Sequence, residues 1–156
     1  MMKKLLFPII FVSVFLTACD NQKEKSNAEK SDNSERILAR QIEFKRISGS
    51  MREIEDMMQA KTAFDAEKIK VLTQDLQKSS QNVFQYFSEQ DKGGKSKLEI
   101  WSNRAEFDSE KDRFVETINK LNEEAQTGDI QKIKASSAPV YETCKSCHDK
   151  FKLKVN

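Results

Sequence analysis

Cys144-Lys145-Ser146-Cys147-His148 places two thiols three positions apart, followed at once by the only histidine of the chain. On a helix, side chains at that spacing lie near one face. Both thiols can then form thioethers with the two vinyl groups of one haem, and the next residue offers an imidazole beneath the iron. C-x-x-C-H is accordingly the attachment signature of a c-type haem. Three other uses of these residues are weaker. A thioredoxin-like C-x-x-C needs a βαβ setting, and no strand pattern precedes it. A structural zinc site wants four ligands, usually Cys or His, and only three cluster here. A plain disulfide between Cys144 and Cys147 sits poorly with this signature in an exported helical chain. A single His also excludes any site built on two histidines within one chain. No second catalytic base or substrate pocket is identifiable, so no enzyme is expected.

The third thiol, Cys19, belongs to a different pattern. Lys3 and Lys4 form a basic start, and Leu5 to Leu16 an apolar run broken only by Pro8 and Ser13. That run is short for a transmembrane helix and reads as the core of an export signal. It ends in Leu16-Thr17-Ala18-Cys19, which resembles the lipobox of bacterial lipoproteins. The resemblance implies cleavage before Cys19, lipidation of its thiol, and anchoring on the periplasmic side of a bacterial membrane. A plain secretory signal with a chance Cys is the weaker alternative. Export agrees with the C-x-x-C-H motif, because bacteria attach c-type haem outside the cytoplasmic membrane.

Of the 156 residues, 27 are Lys or Arg and 25 are Asp or Glu. Lys3 and Lys4 fall in the signal, so the chain beyond Ala18 carries 25 basic and 25 acidic side chains. Neutrality gives no case for a nucleic-acid partner. Residues 20–34 contain no large apolar side chain and read as a disordered tether. The expected organisation is a signal at 1–18, a flexible tether at 19–34 and one folded domain at 35–156.

Four Gly and two Pro supply few of the turns an all-β chain of this length needs. Apolar residues recur instead at helical spacing. Ile37, Phe44, Ile47, Met51, Ile54 and Met58 share one face, with Ser34 as the expected N-cap. Asp65 can cap a second helix whose inner face runs from Ile69 through Leu72, Leu76 and Val83 to Phe87. A polar loop, Ser88 to Ser96, follows. Asn103 and Glu106 resemble a capping box ahead of Phe107, Phe114, Ile118, Leu121 and Ala125. Asp129 can cap a last helix bearing Ile130, Ile133, Ser137, Val140, Cys144, Cys147 and Phe151, with a kink expected at Pro139. The fold class is all-α, and four such helices with short links favour an antiparallel four-helix bundle.

With these residues in place, the chain resembles the cytochrome c′ family, the class II c-type cytochromes. The segment from Cys144 to Lys152 is close to the family form, in which an aromatic and a basic residue follow the His. Ser96 to Trp101, followed by Ala105-Glu106-Phe107, is similar to the family's entry into its third helix. Arg40-Gln41 is similar to the Arg-Gln pair beside the haem in that family. The resemblance implies haem c near the C-terminal helix, held through Cys144 and Cys147 with His148 as the proximal iron ligand. It brings Arg40, Gln41, Lys95 and Ser96 to the haem edge, with Arg40 near a propionate and Lys152 on the proximal side. It also implies a redox partner protein or nitric oxide as the functional partner, and a homodimer paired through the first two helices, near Phe64, Phe84, Tyr86 and Phe87.

In this family the distal position decides the iron's use. A Met sulfur there gives a six-coordinate His/Met electron carrier, with a raised reduction potential. An apolar residue leaves the iron five-coordinate and open to diatomic gases. The Arg40-Gln41 alignment puts Phe44 at that position, and a phenyl ring cannot ligate. The rival alignment, on Lys45-Arg46, puts Gly49 there. Met51 lies two turns beyond Phe44, roughly 10 Å along the axis. It reads, with Met57 and Met58, as core, and Trp101 likewise as packing.

Overall fold

The computed structural model describes residues 21–154; the segment expected as a signal, 1–18, and Cys19 lie outside them. Five helices follow one another: α1 (Asn21–Met58), α2 (Ala66–Asn82), the single turn α3 (Glu99–Ser102), α4 (Arg104–Gln126) and α5 (Ile130–Phe151). The four long ones make the bundle, with α2 packed on α1 and α4, and α4 packed on α5. No described helix is long and apolar enough to cross a membrane.

Helical spacing predicts the buried stripes well. Ile47, Met51, Ile54, Ile69, Leu76, Ile118, Leu121, Ile133 and Val140 form one core cluster, none more than 4% exposed. Met51, Met57 and Met58 belong to it, as core residues. A second, smaller cluster is mainly aromatic: Phe87, Ile100, Trp101, Phe107 and Phe151. Phe44 and Phe84 pack against both clusters and join them. Trp101 also donates its indole N–H to the Ser88 carbonyl, 2.7 Å away.

Helix ends follow the sequence in part. The Asp65 carboxylate accepts the Lys68 N–H at 2.9 Å, and Asp129 accepts those of Gln131 and Lys132. Ser34, by contrast, is no cap, because α1 already runs from Asn21. Residues 21–34, expected as a flexible tether, are helical here. Lys, Glu, Gln and Ala are good helix formers, and extending a helix already nucleated by packing avoids the cost of starting one. Asn103 does not close the expected capping box: its amide meets the Glu106 carboxylate instead of a backbone N–H. Helix α5 continues through Pro139. Pro139 and Ala135, whose carbonyl loses its usual donor, are both exposed, so water can take that carbonyl.

The largest departure comes after α2. Val83–Tyr86 tightens into a 3₁₀ turn, and a second such turn, Glu89–Asp91, stands within the expected polar loop. Asp91 is fully buried there. Its carboxylate accepts the Ser88 N–H at 2.7 Å, the Ser88 hydroxyl at 2.8 Å, and a bidentate contact from Arg36 on α1. Gly93 and Gly94 both have positive φ, and a Cβ on Gly94 would press within 3.0 Å of Ile37. The loop is thereby stapled against α1.

Candidate functional site

The staple leaves a cavity of about 410 Å³ at the aromatic end of the bundle. Phe44, Phe87, Ile100, Phe107 and Phe151 form its apolar walls. Cys147 and His148 line it from α5, while Arg40, Gln41, Lys45 and Ser48 line it from α1. Lys95, Ser96 and Lys152 complete the rim. Two short segments hold that rim: Lys97 N–H donates to the Phe151 carbonyl and Leu153 N–H to the Lys95 carbonyl, each at 2.9 Å. Ser96 and Lys152 sit opposite each other in this antiparallel bridge.

The sequence names Cys144, Cys147, His148, Arg40, Gln41, Phe44, Lys95 and Ser96 as site residues. All but Cys144 line the cavity. Cys144 lies nearly one turn before Cys147 and packs against the aliphatic cluster, whereas Cys147 packs against the aromatic one. The two thiols are free and half-buried. Burial pushes both up to about 11, so each is protonated at neutral pH. His148 is exposed; desolvation, then Lys152, lowers it below the usual imidazole value, which keeps the ring neutral and able to ligate. Phe44 reaches the cavity and Gly49 does not, which favours the Arg40-Gln41 alignment. Met51 is 3% exposed and absent from the cavity wall.

Arg40 does more than the resemblance implies. Its guanidinium donates to the carbonyls of Tyr86 and Asp91 at 3.0 Å and of Gly93 at 2.8 Å. It also lies 4.5 Å from the centre of the Phe87 ring. Three of five N–H groups are thus spent on the loop, leaving two for an anion in the cavity. Phe87 in turn meets Phe44 edge-on, with ring centres 6.2 Å apart. The sequence reads Phe87, Phe107 and Phe151 as core; nothing in helical spacing separates a core aromatic from a cavity wall. Arg36 and Asp91 carry no sequence signal either, because their pairing spans 55 positions.

A second buried carboxylate, Glu110 on α4, stands behind the C-x-x-C-H turn. Lys150 bonds it at 2.8 Å and, ahead of the opposing effect of burial, holds it below the usual carboxylate range. For Asp91 burial acts upward, but Arg36 and Ser88 outweigh it and hold that carboxyl low as well.

The donor set fits haem c. An apolar slot of aromatic walls suits a flat macrocycle, its size lies in the range of cofactor sites, and the lining has four cations and no carboxylate to oppose two propionates. Such a slot, in an all-α bundle with C-x-x-C-H on its wall, defines a class II c-type cytochrome. The comparisons agree. The family described as Cytochrome C' matches residues 35–152. Cytochrome c′ of Rubrivivax gelatinosus is 34% identical over 122 residues, covering 76% of this chain and 94% of that protein. Its crystal structure superposes with a TM-score of 0.72 at 31% identity, over 75% of this chain and 94% of the other. A ferrous variant of Alcaligenes xylosoxidans cytochrome c prime with bound NO gives 0.77 at 28% identity, over 79% and 97%. The chain belongs to the cytochrome c′ family. It is a haem c-binding protein of the electron-transfer and gas-binding kind, in a family that is typically periplasmic.

Proposed function

We propose that the chain carries one haem c on Cys144 and Cys147, with His148 as the proximal ligand and Phe44 over a five-coordinate iron. The observation that carries this reading is the shared cavity of Cys147, His148 and Phe44, whose lining includes no Met among the described residues. The haem supplies an iron that exchanges one electron and takes a diatomic gas, nitric oxide in particular. The protein's own residues do the rest. His148 offers a neutral nitrogen, and Phe44 fills space that a gas must share, obstructing carbon monoxide without excluding it. Arg40, with two N–H groups left, and Gln41, Lys95 and Ser96 hold the propionate edge. Lys152 raises the positive potential beside His148. No enzymatic turnover is assigned. The six-coordinate His/Met reading is disfavoured by the burial of Met51 in the aliphatic core.

Lipid on Cys19 anchors the protein to the periplasmic face of the membrane, an attachment and not a span. Residues 19–34 set the domain's distance from that surface. A homodimer through α1 and α2 is supported by Leu38, Ile42, Phe64 and Val71, which are 55%, 43%, 38% and 57% exposed. Phe87, invoked from sequence for that interface, is core.

Mass spectrometry tests attachment. Protein exported from a host with a haem-attachment system should gain one haem mass that survives denaturation. Haem that extracts into acidified organic solvent contradicts the assignment. Labelled fatty acid should enter the wild type and not Cys19→Ser.

A further inference from the structure

The rim carries more charge than holding a haem requires. Among its four lining cations Arg40 is 3% exposed, whereas Lys45, Lys95 and Lys152 are exposed at the mouth. Among the described residues none of these three lysines makes an ion pair, whereas Lys92, Lys145 and Lys150, also exposed, do. The chain beyond the signal has equal numbers of acids and bases. A positive rim therefore reflects segregation of charge, which steers partners, and not a general excess. Two propionates neutralise at most two of the four cations.

An apolar spot interrupts the lysines. Leu98 is 68% exposed and Leu153 47%, and Leu98 is the most exposed large apolar side chain among the described residues. Both sit on the bridged rim, Leu153 bonded through its N–H to Lys95 and Leu98 following Lys97. Backbone pairing holds this surface in place before any partner arrives. Lys97 itself turns inward, donating to the Asp149 and Lys150 carbonyls at the end of α5. A small apolar centre within a charged, rigid rim is the anatomy of a protein-docking site.

We propose that this rim docks an acidic one-electron carrier protein, whose carboxylates meet Lys45, Lys95 and Lys152 at the mouth and Lys154, exposed two residues beyond Lys152 and outside the lining, while Leu98 and Leu153 seat on an apolar spot of its surface. This rests on the electron-transfer reading above. One electron passes from the reduced partner to ferric iron, oxidising the one and reducing the other, with no atom transferred. Four lysines are few for a nucleic acid, which rewards many phosphate contacts.

Stopped-flow reduction of the full-length ferric holoprotein tests this, with a reduced acidic plant-type ferredoxin as donor and a small uncharged reductant as control. The ferredoxin rate constant should fall about tenfold or more between low and high salt, as screening removes the attraction. The control should not change. Lys154→Glu and Leu98→Ser should each slow the ferredoxin reaction several-fold and leave the control reaction and the absorption spectrum unaltered. A ferredoxin rate that is flat or rises with salt, or that ignores both variants, overturns the proposal. So does holoprotein that ignores ferredoxin yet sediments through this rim with anionic vesicles. If the small reductant fails to reduce the protein, the haem reading itself has failed.

Discussion

The two ends of the bundle are built for different purposes. At one end Ile54, Ile69, Ile118, Leu121 and Ile133 are fully buried aliphatics that fill the space between four helices. At the other, five apolar side chains, four of them aromatic, stand around about 410 Å³ of space. The aliphatic end contains no buried carboxylate, while Asp91 and Glu110, the two buried ones among the described residues, both serve the cavity end. The difference teaches where stability and function reside. Close packing holds the helices together; the cavity end is held open by an ion-paired loop and by aromatic rings in edge-on and tilted contact.

The largest effect expected on this contrast is loss of the cofactor link. Cys147→Ala should weaken or abolish covalent haem, read by denaturing mass spectrometry, while the helical circular dichroism survives. Next comes the aliphatic end. Leu121→Ala should cost about 2–5 kcal/mol of stability in denaturant unfolding, from lost burial and the cavity it leaves. It should leave the haem spectrum unchanged; a shifted spectrum would show that the two ends are coupled. Phe44→Ala should act chiefly on the cavity, binding carbon monoxide several-fold faster and more tightly in the ferrous protein, with a loss of stability smaller than that of Leu121→Ala because Phe44 is only half-buried.

Acid should separate the ends more gently. Asp91 and Glu110 are both held below their unfolded values of about 4. Their contribution to stability is therefore complete above that range and disappears as pH falls through their lowered folded values. Amide exchange below pH 4 should open the loop of Ser88 to Ser96 before the aliphatic helices. Uniform opening would show that the staple adds nothing. The smallest effect is at the α2 cap, where Asp65→Ala should cost about 1 kcal/mol and touch neither end's chemistry.

The aliphatic end was legible in the sequence because its information is local. A stripe such as Ile118, Leu121 and Ala125 announces a helix face, and Asp65 and Asp129 announce their caps. The C-x-x-C-H turn was legible for the same reason. The cavity end is written across long separations. Arg36 meets Asp91 and Arg40 meets Gly93 only once α1 and the loop have packed, so neither pair shows in any window of sequence. The same holds for Phe87, which helical spacing assigns to core and the 3₁₀ turn at Val83–Tyr86 brings to the cavity. Residues 21–34 differ in kind: their low apolarity suggests a tether, while α1 runs through them from Asn21.

In the proposed site the iron is held by His148 alone on the protein's side, with Phe44 over its open face. The absorption spectrum of the reduced holoprotein, recorded with and without carbon monoxide, tests it most directly. The prediction is a high-spin, five-coordinate spectrum that shifts on adding the gas and is the same in Met51→Leu. A low-spin spectrum indifferent to carbon monoxide, with a sulfur-to-iron charge-transfer band that Met51→Leu abolishes, would contradict it.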